Sequence, residues 1–317
     1  MITIYLKQNN KIIRNAELEL FDRLGFDDIL WIDMLTPSMK EQKAVEDYLD
    51  IDLLSRQQAE EIESSSKYSE TENSVIANSN FFVPKTDSFD IEPVSFIITQ
   101  GLLVTVRNAE LRTFNEMSKK LQINYKAYPT GYHLFVSLLE VRIDYDADLV
   151  EAEARKISGL SKLLGDEVPS NEKLSKKIND IQESMMMIRE SIFDRQRVLS
   201  GVLRSEEFPA DVYPRLQLMM RDVSSLLSHA DFSFERLDYL KDTVMGLINI
   251  EQNKTTKIFT VASVFFMPAT LIASIYGMNV LLPWQHETGL WPFWITVIFM
   301  VVASGATIGF FRYKKWL

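Results

Sequence analysis

IFTVASVFFMPATLIASIYGMN, residues Ile258–Asn279, is the stretch that decides the architecture. It carries no charge, and none follows until Glu287. A second uncharged run extends from Thr288 to Phe311. About 20 consecutive apolar residues suffice for a helix to cross the hydrocarbon core of a bilayer. Two membrane-spanning helices are therefore expected, over 258–279 and 290–311, joined by a short loop over 280–289. The competing reading is a buried hairpin in a soluble core. Basic residues just outside both runs, Lys254 and Lys257 before and Arg312, Lys314 and Lys315 after, argue against it. The loop holds only Glu287 as a charge, so the positive-inside rule places both chain ends in the cytoplasm and the loop outside. The expected location is the cell (inner or plasma) membrane, with the lipid bilayer as a partner and a basic cytoplasmic tail over 312–317.

The chain has 317 residues, is 46% hydrophobic and carries a formal net charge of −10. With the hairpin set aside, about 255 residues remain, enough for one large soluble domain or two small ones. There is no cysteine. Disulfides and thiolate metal sites are thus excluded, in keeping with a reducing compartment. Met1–Lys7 lacks the basic-then-apolar pattern of a signal peptide. An acidic chain is a poor nucleic-acid binder. His133, His229 and His286 are scattered and form no ligand motif. No phosphate-binding P-loop, nucleophile–base pair or cofactor loop is recognisable, so neither an enzyme nor a resident cofactor is expected.

Residues 1–128 read as a cytoplasmic α/β domain. Met1–Leu6, Ile29–Asp33, Ser74–Val83, Ile91–Thr99 and Leu102–Val106 are strand-like runs between turn signals. Thr36-Pro37-Ser38 starts a helix over Lys40–Tyr48. The polar, Ser-rich segment Glu60–Asn73 reads as a loop. Residues 129–257 read as a cytoplasmic long-helix bundle and stalk, with helices over Tyr132–Leu164 and Asn171–Leu203 and a third from near Ala210. The acidic residues Asp144, Asp146, Asp148, Glu151 and Glu153 read as a solvated helix face.

The third helix has the most regular pattern. Alternate steps of three and four give Leu216, Met219, Val223, Leu226, Ala230, Ser233, Leu237, Leu240, Val244 and Leu247, nine of the ten apolar. This is a sustained heptad seam. If the helix continues unbroken to Tyr276 it is about 100 Å long at 1.5 Å per residue. The same stepping, carried into the first span, gives Asn253, Thr256, Thr260, Ser263, Met267, Thr270, Ser274 and Gly277, six of the eight amide or hydroxyl residues. Such a stripe serves either close helix packing or a water-lined pore, and periodicity alone does not choose between them. With no carboxylate in the span, a cation passing along it meets neutral oxygens only. That chemistry suits a hard ion that keeps its water, such as Mg²⁺.

Asn253-Lys254, Phe266-Met267-Pro268 within the span, Ile275-Tyr276-Gly277-Met278-Asn279 at its exit, the short loop, the second span and Lys314-Lys315-Trp316-Leu317 together resemble the CorA family of magnesium transport proteins. The resemblance is tight over about the last 65 residues and looser over most of the chain, where Leu138-Leu139-Glu140 to Glu153 and Arg195–Leu203 are similar to the family's two antiparallel cytoplasmic helices. It implies a homopentameric, funnel-shaped channel for divalent cations, with an α/β cytoplasmic domain, a long-helix stalk and two C-terminal transmembrane helices, the first lining the pore. It implies Mg²⁺ influx down the membrane potential, with Co²⁺ or Ni²⁺ as further passengers. Gly277, Met278 and Asn279 match the selectivity motif, Asn279 presenting its amide oxygen to the hydrated ion. Asn253, Met267 and Thr270 match pore-lining positions, which fall on the stripe. Thr256 and Phe259 stand where the family often has a Met and a Leu as hydrophobic gate, so Phe259 and Met267 are the gate candidates. Leu282–Glu287 replaces the common Met-Pro-Glu-Leu loop; Glu287 either gathers cations at the mouth or is an ordinary solvated residue. Regulation by cytoplasmic Mg²⁺ would fall to Asp222 and Asp242. A Zn²⁺ transporter of the same superfamily and a non-conducting two-span sensor or scaffold are the alternatives.

Overall fold

The computed structural model describes residues 1–8, 11–53, 67–84, 89–166, 171–278 and 290–314. The chain divides into two units, Met1–Lys241 and Asp242–Leu317. In the first, β1 (Ile2–Gln8), β2 (Lys11–Asn15), β3 (Ile29–Leu35), α1 (Met39–Leu49), β4 (Tyr68–Glu70), β5 (Val75–Pro84), β6 (Phe89–Thr99), β7 (Leu102–Arg107), α2 (Arg112–Ile123), α3 (Gly131–Asp166) and α4 (Asn171–Arg204) precede α5, which spans Tyr213–Tyr276. The seven strands form one sheet in the order β2-β1-β3-β7-β6-β5-β4. Only β3 and β7 pair in parallel; the other five pairings are antiparallel. The mixed α/β reading of the N-terminal region therefore holds.

Local chemistry sets these elements. Ser38 caps α1 as its position after Thr36-Pro37 predicts: its hydroxyl accepts from the Glu41 N–H, and the Glu41 carboxylate accepts from the Ser38 N–H at 2.8 Å. Gln100 and Gly101 both have positive φ, 48° and 82°, which matches the mirror-image turn favoured in two-residue hairpins and folds β7 back on β6. Gly131 opens α3 hard against the head of β7, where a Cβ would stand 2.5 Å from the Leu103 nitrogen.

The sheet is buried on both faces. Along β3, Ile32 and Met34 point toward α1 with Val45 and Leu49, while Trp31 points into the larger core with Phe81, Phe96, Phe114 and Phe135. That larger core also takes Leu138 of α3, Ile192 of α4 and Leu216 and Val223 of α5, so the sheet and the long helices share it. On the same side of the sheet, buried Asp33 accepts hydrogen bonds from Thr105 and, bidentately, from Arg107.

The heptad seam is a packed seam. Leu216, Met219, Val223, Ala230, Ser233, Leu237, Leu240 and Val244 are all buried, and Leu226 and Leu247 partly so. Other expectations change. Tyr68–Glu70, inside the expected loop, is a strand paired with β5; Glu60 to Ser66 lie outside the described residues. A three-residue edge strand in which Tyr68 packs toward the core while Ser69 and Glu70 are exposed is too short for an apolar alternation to show. The strand β2 and helix α2 are additions, and α2 buries Phe114, Met117 and Leu121 at helical spacing. Asp146 and Glu153 do not lie on a solvated face: each is 1% exposed. Asp146 stands 2.8 Å from Arg142 and 2.5 Å from Arg195 of α4, and Glu153 pairs with Lys156 at 2.7 Å. Buried carboxylates need such partners.

Candidate functional site

The second unit contains the end of α5 and α6 (Trp291–Tyr313). Both helices are long and apolar enough to cross a membrane, and no residue of the apolar window of α5 is fully buried. Side chains such as Phe266, Leu271, Phe299 and Val301 stand 60% or more exposed. Water would penalise such a surface heavily, whereas lipid is its natural solvent. Pro268 sits inside α5 without ending it.

Each helix of the unit has one partly covered stripe. On α5 it comprises Val261, Val264, Pro268, Ile272 and Tyr276; on α6 it comprises Pro292, Thr296, Met300, Ala303 and Thr307, with Ser304 fully buried. The α6 stripe mixes small and hydroxyl-bearing residues, Thr296, Ala303, Ser304 and Thr307, with the larger Val297, Met300 and Ile308. Its Thr296 and Thr307 hydroxyls donate back to the carbonyls of Pro292 and Ala303.

The predicted polar stripe of α5 lies elsewhere. Asn253, Thr256, Thr260, Ser263, Met267, Thr270, Ser274 and Gly277 are all exposed. At 3.6 residues per turn their centre lies roughly 140° round the helix from the covered stripe. Among the described residues, other side chains of α5 are the partly covered ones, and nothing covers the hydroxyl stripe. The Thr260 and Thr270 hydroxyls donate to the carbonyls of Thr256 and Phe266, both at 2.8 Å. Each proton is thereby used inside the helix, and the outward lone pairs remain as acceptors. An array of neutral acceptors matches the outward-pointing protons of a hydrated cation, and Mg²⁺ gives up its water reluctantly.

The stripe ends in a turn. The Gly277 N–H donates to the Ala273 carbonyl and the Met278 N–H to that of Ile275, and Met278 is 52% exposed. Asn279 and Glu287 lie outside the described residues. Phe259, 68% exposed, stands one position before Thr260, and Met267, 66% exposed, lies on the stripe itself. Lys254 and Lys257 mark the start of the apolar segment and border a groove with Val261, Phe265 and Ile308. Asp222 and Asp242 are both exposed on α5. Among the described residues, no group of three or more His, Asp or Glu is placed to hold a metal ion within one chain.

Sequence reasoning missed two features. One is the α6 packing stripe, whose Ala303, Ser304 and Thr307 do carry a three-four spacing of small residues. The other is an uncovered apolar stripe on the side of α5 away from the heptad seam, with Leu218 at 55%, Phe232 at 59% and Tyr239 at 72% exposure.

The family of CorA-like Mg²⁺ transporter proteins matches this chain over residues 26–314. A magnesium transport protein CorA from Wolinella succinogenes is 34% identical, with all of both chains covered. One from Campylobacter jejuni is 32% identical, again with full coverage of both. Among solved structures, the complete CorA magnesium transporter from Methanocaldococcus jannaschii shares the fold, with a TM-score of 0.77 at 17% identity, over 100% of this chain and 99% of that one. An α/β domain, a long helix and two apolar C-terminal helices thus recur in a family matched along nearly the whole sequence, and the chain belongs to the CorA-like Mg²⁺ transporter family.

Proposed function

We propose that this chain assembles as a homopentameric divalent-cation channel that carries Mg²⁺ into the cell, with Co²⁺ and Ni²⁺ as further passengers. The observation that carries the reading is the uncovered hydroxyl stripe of α5, placed on a helix fit to span a membrane and turned away from the chain's own packing stripe. Several copies around an axis give that stripe a common purpose: water-lined rings of neutral acceptors along which a hydrated ion moves. The exposed Leu218, Phe232 and Tyr239 supply apolar surface for self-association. The names of the full-length relatives supply the ion.

In this reading residues 1–257 are cytoplasmic, 258–279 line the pore, 280–289 form the external loop, 290–311 form the outer span and 312–317 a basic cytoplasmic tail. Gly277, Met278 and Asn279 stand at the outer mouth, where the Asn279 amide oxygen handles the hydrated ion and Glu287 gathers cations. Phe259 and Met267 form the hydrophobic constriction. Asp222 and Asp242, both exposed, bind cytoplasmic Mg²⁺ between subunits and hold the channel closed; among the described residues of one chain neither belongs to a metal-sized cluster. No nucleotide hydrolysis is required: a divalent ion entering across 100 mV, inside negative, gains about 4.6 kcal/mol.

The test is Mg²⁺ uptake into proteoliposomes at an inside-negative potential, comparing the natural chain with Asn279→Ala. Uptake that is lost in the variant is expected. Uptake in neither, from inserted pentamers at low internal Mg²⁺, would overturn the channel and leave a Zn²⁺ carrier or a sensor to be tested by Zn²⁺ flux. In the same vesicles, Asp222→Asn with Asp242→Asn should relieve inhibition by internal Mg²⁺; unchanged inhibition removes both residues from that role.

A further inference from the structure

Lys254 and Lys257 are exposed where α5 turns apolar, and both border one groove of about 540 Å³. The groove lies wholly within the second unit. Beyond the lysines its walls are apolar, with Val261, Ala262 and Phe265 from α5 and Ile308 from α6. Steps of three, four and four carry Lys254 through Lys257 and Val261 to Phe265, so charge and apolar wall share one helix face. At 1.5 Å per residue the distance from Lys257 to Phe265 is roughly 12 Å. One leaflet's hydrocarbon is about 15 Å deep. The groove therefore leads from headgroup level toward the middle of the bilayer, charged at one end and apolar along the rest.

Its direction and its charge bear on what fills it. At 3.6 residues per turn, the α5 residues of the groove centre roughly 170° round the helix from the hydroxyl stripe. With the stripe turned to the ion path, as proposed above, the groove looks away from the axis, toward lipid. A second copy is a poor occupant, because its span has no carboxylate to offer the two ammonium groups. The acids of α5 in this unit, Asp242 and Glu251, are exposed and lie at least about one turn to the water side of Lys254. Arg312, exposed and one turn beyond Ile308 on α6, adds positive charge at the same end.

We propose that this groove holds one anionic phospholipid. Its phosphate accepts hydrogen bonds from the Lys254 and Lys257 ammonium groups, and an acyl chain lies along Val261, Ala262, Phe265 and Ile308. Long lysine stems cover apolar surface while their charged heads stay at the polar boundary. Basic recesses between transmembrane helices recognise acidic headgroups in this way. The inference rests on the membrane-spanning reading of the second unit and, for the direction of the groove, on the pore reading.

The test is native mass spectrometry of the full-length protein released from vesicles of equal parts phosphatidylglycerol and phosphatidylcholine. Phosphatidylglycerol should be retained over phosphatidylcholine by roughly thirtyfold, the equivalent of about 2 kcal/mol for two lysines. Lys254→Gln with Lys257→Gln should cut that ratio at least tenfold. Lys314→Gln, which removes an exposed charge outside the groove, should leave it unchanged. Ala262→Trp, an exposed substitution that fills the groove, should lower retention of phosphatidylglycerol at least tenfold. Excess inorganic phosphate should not displace the lipid. Equal retention of the two lipids, an equal loss in Lys314→Gln, full retention in Ala262→Trp, or displacement by inorganic phosphate overturns the proposal. The assay reads bound lipid and not flux, so selective retention by a chain that passes no Mg²⁺ overturns the channel reading alone.

Discussion

The two ends of α5 carry the same three-four spacing and opposite chemistry. From Leu216 to Leu240 the stepped positions are apolar except for Ser233, and the chain buries nearly all of them. From Asn253 to Gly277 they are hydroxyl, amide or small apart from Met267, and the chain buries none. A periodic stripe therefore says that a helix has a preferred face, not what that face meets. In the first region the answer is this chain's own helices and sheet. In the second, Val261, Val264, Pro268 and Ile272 are the partly covered side chains, and the stripe stays exposed, which the proposed channel assigns to water and other copies of the chain.

The comparison can be broken from either side. The largest effect on stability should come from the closed region. Leu237 is fully buried, so Leu237→Ala should cost about 3 kcal/mol of unfolding free energy in denaturant titrations. Mg²⁺ uptake per folded protein should stay unchanged. A loss of uptake without a loss of stability would make the seam part of the ion path.

The open stripe should behave in the reverse sense. Thr260→Val with Thr270→Val removes two outward acceptors, repeated in every copy, while keeping the side-chain shape. Uptake should fall roughly tenfold, the equivalent of about 1.4 kcal/mol in the transport barrier. The unfolding temperature should not move, because the hydroxyls bond only within their own helix. A large loss of stability with normal uptake would return the stripe to a packing role.

A smaller effect marks the start of α5. His133 Nε2 and Asp211 Oδ2 are 3.0 Å apart, linking α3 to the turn before the long helix. The Asp211 carboxyl is held below its ordinary value, chiefly by this hydrogen bond. The folded state therefore releases that proton more readily than the unfolded chain. The contribution is fully present above about pH 4 and is lost as pH falls through the folded value. Asp211→Asn should lower the unfolding temperature slightly at pH 6, and the difference should vanish in acid. A difference that persists at pH 2 would assign the effect to something other than the carboxylate.

Much of this was legible in the sequence because it rests on periodicity and punctuation. The seam, the two spans, the Ser38 cap and the order of strands and long helices each have a local signature. Helix α2 was not read, although Phe114, Met117 and Leu121 carry a helical spacing, because its charged surface residues obscure the pattern. The burial of Asp146 was not. A run of acids on one helix reads as solvated until another helix, some 50 residues on, brings Arg195 against it. Nothing local encodes that meeting. For the proposed ion path, the sequence marks the stripe and its terminal Gly-Met-Asn, but the exposure of the described stripe residues becomes visible only when the covered stripes of α5 and α6 are compared.

The absence of cysteine allows the most direct test. Ser263→Cys and Phe265→Cys lie at nearly the same depth on opposite sides of α5. A charged, water-soluble thiol reagent modifies only a cysteine that ionises in water. In proteoliposomes it should modify Ser263→Cys and stop Mg²⁺ uptake, while sparing Phe265→Cys and the natural chain. Equal modification of both variants, or modification of Ser263→Cys with uptake unimpaired, would contradict the claim that the hydroxyl stripe lines the path of the ion.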